Sequence, residues 1–248
     1  MPDVLPTDDP ATPATARLLA RIEALEARVA NLEAARAGGG APRRPSGGGS
    51  VGASGELEAS GWTEPYVVAE LEPAETWIEL HEASARPQLQ RMIRAVVEGE
   101  GPVTERLALD RVRRAWGLRR AGGRVQEAFD QAVRQLVART LVERDGDALQ
   151  APGTVLEVVR TPTDDEATRR GAEDVPLVEL ALAIERALRA LGGAADVDDL
   201  TMRVAKLLGW TRRGGAIQDR LDAALRRAVE RGAIELDGGT ARSVAASD

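Results

Sequence analysis

Laid over itself at an offset of 92 residues, the chain repeats. Arg111-Val112 falls on Arg203-Val204, Gly117 on Gly209, Arg120 on Arg212, and Gly122-Gly123 on Gly214-Gly215. Gln126, Asp130, Arg134 and Val137 fall on Gln218, Asp222, Arg226 and Val229, and Asp145-Gly146 falls on Asp237-Gly238. No gap is needed from Gly101/Gly193 onward, and 16 of the 46 positions to Gly146/Gly238 are identical. Conservative pairs such as Val125/Ile217, Phe129/Leu221 and Val142/Ile234 fill others. A chain built this way is expected to fold as two copies of one small unit.

Each copy reads alike. A first helix is predicted from about Pro87 to Glu98 and from Pro176 to Leu191. A second follows Thr104 or Asp196, each an N-cap residue type, and stops at Gly117 or Gly209. A short turn then leads through paired glycines into a longer third helix, whose apolar face in the first copy is Val125, Phe129, Ala132, Val133, Leu136 and Val137. A β-hairpin closes each copy: Leu141 to Leu149 about Asp145-Gly146, and Ala233 to Ser243 with a weaker return strand. Three helices and a hairpin in about 65 residues is the winged-helix form of helix-turn-helix. The expected class is therefore mainly α, with winged-helix units at 87–151 and 176–243.

The flanks carry different signals. Residues 1–13, with four Pro and three Asp, are expected to be disordered. Over 14–37, Leu18, Ile22, Leu25, Val29 and Leu32 form a heptad seam with leucines at d and β-branched residues at a, the pattern of a parallel two-stranded coiled coil. Arg21 and Arg28 at g then face Glu26 and Glu33 at e′ of a partner helix. The Gly/Ser/Pro-rich stretch 38–60 reads as a flexible linker, so this helix has no nearby core and its own copy is the expected partner. Residues 61–86 read as an edge strand or an extended docking arm through Tyr66-Val67-Val68 and Trp77-Ile78-Glu79-Leu80, 152–175 as a second linker, and 244–248 as a tail.

Composition narrows the chemistry. No cysteine is present, which excludes a disulfide scaffold and a thiol nucleophile, and the single histidine, His81, leaves little for a Ser-His-Asp set or a His-rich metal site. No cofactor, metal or catalytic residue is expected. No apolar run approaches the ~20 residues that span a bilayer, and the acidic, Pro-rich start is unlike a signal peptide. The expectation is a cytoplasmic, non-enzymatic protein without membrane contact. Lys206 is the only lysine, so nearly all positive charge is arginine.

Glu79-Leu80-His81-Glu82, Glu98-Gly99-Glu100-Gly101-Pro102-Val103, Arg111-Val112, Gly117-Leu118-Arg119-Arg120-Ala121-Gly122 and Leu208-Gly209-Trp210-Thr211-Arg212-Arg213-Gly214 carry a family resemblance. The stretch from Tyr66 to about Thr240 resembles a bacterial domain of unknown function found at the C-terminus of large superfamily 1 DNA/RNA helicases, often beside a nuclease-like domain. The resemblance implies nucleic-acid metabolism or phage defence. It carries no ATPase activity over, because no G-x-x-x-x-G-K-[ST] motif is present.

Although the whole chain has a net charge of −7, positive charge gathers at the helix-turn-helix. Arg111, Arg113, Arg114, Arg119, Arg120 and Arg124 surround the turn of copy one, and Arg203, Lys206, Arg212, Arg213 and Arg220 that of copy two. Residues 87–150 carry 12 basic and 9 acidic side chains, and 176–243 carry 11 and 10. Gly122-Gly123 and Gly214-Gly215 either make a tight turn or let a phosphate reach the N-terminus of the third helix. Gln126, Asp130 and Arg134, with Gln218, Asp222 and Arg226, line its outer face. Gln and Arg can read bases, whereas Asp repels phosphate, and Asp-Arg at i, i+4 is also an ordinary solvated pair. The expected function is a dimer that binds DNA through Arg113, Arg114, Arg119, Arg120, Arg124 and their counterparts. The alternative is a protein-binding scaffold for a helicase, nuclease or chromosome-organising partner.

Overall fold

The structure is a computed structural model that describes residue 57 and residues 61–74, 78–211 and 214–244. Leu18, Ile22, Leu25, Val29 and Leu32 of the expected coiled coil, most of the expected linker 38–60, and Arg212 and Arg213 lie outside the described residues. About half of the described residues are helical, in six helices: α1 (Arg86–Glu100), α2 (Glu105–Ala115), α3 (Gly123–Ala138), α4 (Leu177–Ala190), α5 (Val197–Leu207) and α6 (Gly215–Glu230). Eight short strands accompany them: β1 (Thr63–Pro65), β2 (Val103–Thr104), β3 (Glu143–Asp145), β4 (Ala148–Gln150), β5 (Val159–Thr161), β6 (Ala194–Asp196), β7 (Ile234–Asp237) and β8 (Thr240–Ser243). Helices α2 and α5, and α3 and α6, begin and end at the same 92-residue offset as the sequence repeat.

The caps repeat as well. The Thr104 hydroxyl accepts from the Leu107 N–H at 3.2 Å, and the Asp196 carboxylate accepts from Asp198 and Asp199 at 2.9 and 3.1 Å, each satisfying orphan donors of the helix it starts. Helix α2 ends at Gly117 (φ 74°) and α5 at Gly209 (φ 78°), where the left-handed backbone turns the chain back. Leu118 N–H then donates to Arg113 O at 2.8 Å and Trp210 N–H to Ala205 O at 2.9 Å. After α3 and α6 the same left-handed position is held by Thr140 (φ 53°) and Gly232 (φ 69°).

Each copy buries its own core. The first gathers Leu89, Ile93 and Val96 of α1, Ala108 and Val112 of α2, and Phe129, Val133 and Leu136 of α3. The second gathers Leu180, Ile184 and Leu188 of α4, Leu200 and Val204 of α5, and Leu221, Ala224 and Ala228 of α6. A strand unforeseen in the sequence, β2 or β6, pairs with the return strand, giving the antiparallel orders β2-β4-β3 and β6-β8-β7. In the second copy the return strand β8 pairs with β7 over four positions, against three for β4 with β3, so it is not the weaker one.

The segment 152–175 is more than a linker. Its β5 pairs in parallel with β1 of the N-terminal arm, from Thr63 opposite Val159 to Pro65 opposite Thr161. Tyr66, next to β1, is buried in the first core, while Leu57 and Trp62 pack on the second. The arm therefore contributes its strand just before the Tyr66-Val67-Val68 run. From the same segment Arg160 and Arg170 enter the protein interior, where both pair with Glu179 of α4 at 2.5 and 2.7 Å. Arg160 also donates to the carbonyls of Glu100, Gly101 and Pro102 in the first copy. Arg170 stacks over the Tyr66 ring at 4.0 Å, and the Tyr66 hydroxyl donates to Glu100, which Arg111 also holds. A buried charge is tolerated only when paired and hydrogen-bonded, and this network pairs every member. It joins the two copies through the connecting segment.

Candidate nucleic-acid interface

The turn between α2 and α3 is braced from inside. Arg113 donates to the carbonyls of Leu118 and Arg119 at 2.9 and 2.8 Å and pairs with Asp110. Its guanidinium therefore holds the turn. Arg114 pairs with the other Asp110 oxygen at 2.7 Å but keeps most of its side chain in solvent. Arg106, Asp110, Arg113, Arg114, Ala121 and Asp174 line a shallow cavity of about 400 Å³ below the turn.

Beyond the brace the picture changes. Arg119, Arg120, Arg124 and Arg134 are exposed, and among the described residues none of them makes an ion pair. Arg119 and Arg120 sit on the turn, Arg124 in the first turn of α3, and Arg134 on its outer face. Gly122 and Gly123 lie between them. Gly122 is extended (φ −85°, ψ 171°), and a Cβ added at either glycine would meet nothing within 4 Å. Neither backbone conformation nor packing requires glycine here, so the tight-turn explanation does not account for the pair. Their effect is to leave the first N–H groups of α3 bare, beside three unpaired arginines.

The second copy keeps the glycines and changes the surroundings. Gly214 and Gly215 are equally open, Lys206 is exposed on α5, and Arg203 pairs with Asp199 at 2.8 Å. The outward residues repeat one hydrogen bond: Gln126 donates to Asp130 at 2.8 Å and Gln218 to Asp222 at 2.9 Å. Each glutamine amide is thus engaged with the carboxylate one turn on, the solvated-pair geometry rather than a free reading head. Arg226, the counterpart of Arg134, is exposed.

One flank of α6 is occupied. Arg220 pairs with Asp147 and donates to Val175 O at 2.8 Å, and Arg227 pairs with Asp145 at 2.6 Å. Both aspartates belong to the hairpin of the first copy, and the Asp147 carboxylate also accepts from the Leu177 N–H that opens α4, at 3.2 Å. The sequence names Arg220 but does not reveal this contact, because the aspartates lie 73 and 82 residues away. The buried Arg160, Arg170 and Glu179 were likewise missed, since charged residues in a segment without periodicity read as solvated.

Among the described residues no group of three His, Cys, Asp or Glu side chains could hold a metal ion, and no helix is long and apolar enough to cross a membrane. His81 is exposed. No curated protein and no solved structure matches the chain. Over residues 79–127, from the end of the arm through α1 and α2 into the start of α3, the chain is similar to a family described as a protein of unknown function (DUF3320).

Proposed function

We propose that each copy is a winged helix and that the first binds nucleic acid through its backbone phosphates, with the turn and the N-terminus of α3 as the contact surface. The carrying observation is the open Gly122-Gly123 pair set among the unpaired Arg119, Arg120 and Arg124. Bare N–H groups at a helix N-terminus and mobile guanidiniums suit a phosphate, whereas an ordinary turn would not leave both exposed. Phosphate contacts position a protein without reading sequence, so specificity is modest. The Gln126–Asp130 bond points the same way. The coiled coil expected at 14–37 would pair two such chains, and the resemblance to helicase-associated domains supports a role in DNA metabolism or phage defence.

The test is fluorescence anisotropy with labelled random-sequence duplex and single-stranded DNA across a salt series. Arg119→Glu with Arg120→Glu should weaken binding to every sequence and flatten the salt slope by roughly one unit per lost contact. Unchanged binding with native helicity overturns the assignment. No binding by the wild type leaves the scaffold for a helicase or nuclease partner as the better reading.

A further inference from the structure

Arg220 and Arg227 are peculiar to the second copy: at the 92-residue offset the first has Ala128 and Gln135. Two turns apart on α6, they form a basic pair, and the pair is already occupied. The turn Asp145-Gly146-Asp147 at the tip of the first hairpin lays one carboxylate on each guanidinium. The tip approaches closely, since a Cβ on Gly146 would lie 3.5 Å from Arg227 Nη1.

The fit is incomplete. In both arginines the carboxylate is reached through Nη2, while the Nε atom is buried without any acceptor. A buried donor left unsatisfied costs about as much as a hydrogen bond contributes, and native structures keep few of them. The Nε and Nη2 groups form the fork that grips two oxygens of one oxyanion, a geometry the single-oxygen contacts here do not use. A phosphodiester, with two free oxygens, would satisfy both donors. Neither pair is fully enclosed, since the side chains are between 17% and 41% exposed, which leaves the carboxylates open to exchange with an oxyanion from solvent.

We propose that Arg220 and Arg227 are a second phosphate-binding site, occupied by the acidic hairpin turn acting as a phosphate mimic, and that the nucleic-acid backbone competes with Asp145 and Asp147 for it. This inference rests on the nucleic-acid reading above and adds a second contact surface under internal competition. The turn acts as a threshold: a weak or short ligand leaves it in place, while one already held by Arg119 and Arg120 displaces it.

The experiment uses the full chain and labelled random-sequence duplex DNA over a salt series. Asp145→Asn with Asp147→Asn removes the two charges and keeps the oxygen that accepts from Leu177. The expected result is roughly tenfold tighter binding and a salt slope steeper by about two units, with both gains abolished by adding Arg220→Gln and Arg227→Gln. Arg119→Glu with Arg120→Glu should weaken wild type by a larger factor than the double variant, whose second site is already open. An unchanged affinity and slope in the folded double variant overturns the proposal, as does a gain that survives loss of Arg220 and Arg227. Wild-type binding that ignores Arg119→Glu and Arg120→Glu overturns the first-copy reading alone, and absence of DNA binding in every variant overturns both. If circular dichroism shows the double variant unfolded, Asp145→Asn alone decides. Its side chain pairs only with Arg227 among the described residues, and a slope steeper by about one unit is then required.

Discussion

Arg160 and Glu179 are joined by three hydrogen bonds, from the Arg160 backbone N–H and Nε to Oε1 at 2.9 and 3.2 Å and from Nη2 to Oε2 at 2.5 Å. The same guanidinium donates to Pro102 O at 2.6 Å. One residue of the connecting segment thus holds the first helix of the second copy and the loop that follows α1 in the first. Removing Glu179 would leave Arg160 and Arg170 buried without a counter-charge. Glu179→Ala should destabilise the protein by about 3–5 kcal/mol, measured by urea denaturation followed through tryptophan fluorescence. A loss below about 1 kcal/mol would show that the site is solvated.

Acid should act through the same carboxyl. Burial alone would raise the Glu179 pKa, but hydrogen bonds and charge from Arg170 and Arg160 reverse this and lower it to about 2, against 4.5 ordinarily. A carboxylate with a lowered folded-state pKa contributes stability that is present above the ordinary value and lost as pH falls toward the folded one. The advantage of wild type over Glu179→Gln should therefore be full above about pH 5 and shrink progressively down to about pH 2. Thermal unfolding of the two proteins at stepped pH checks this, and a constant gap would refute it.

Thr140 holds a left-handed conformation at the end of α3 where the second copy has Gly232. A β-branched residue there is strained, and glycine is not. Thr140→Gly should stabilise the protein by about 1 kcal/mol in chemical denaturation, whereas Gly232→Thr should destabilise it by a similar amount.

The open glycines separate stability from binding. Gly123→Ala replaces glycine at the start of α3 in open space, and should leave the fold intact or stabilise it by up to about 1 kcal/mol. Gly122→Ala and Gly123→Ala together should nonetheless weaken DNA binding several-fold, because two methyl groups then stand over the bare N–H groups. Unchanged affinity would assign the glycines to neither role.

Oligomeric state is expected to depend on the heptad segment. Light scattering should report a dimer for the full chain and a monomer for one beginning near Ser54. A dimer in the shorter chain would move the interface onto the copies themselves.

The repeat, the helix periods and the caps at Thr104 and Asp196 were legible in the sequence because they are local. A 3.6-residue apolar period, a side chain that reaches three residues along and a glycine at a left-handed stop each act within a few positions. The arginines around the α2–α3 turn were legible for the same reason. Which of them are free was decided by tertiary structure: Arg113 faces the turn carbonyls and Arg119 faces solvent, although both are arginines six residues apart in one basic run. The strands β1 and β2, the burial of Arg160, Arg170 and Glu179, and the seating of Asp145 and Asp147 on α6 depend on partners tens of residues away. A charged side chain has no intrinsic preference for the interior. Only the assembled fold, by placing opposite charge and carbonyl oxygens around it, turns such a residue from solvated surface into a joint between two copies.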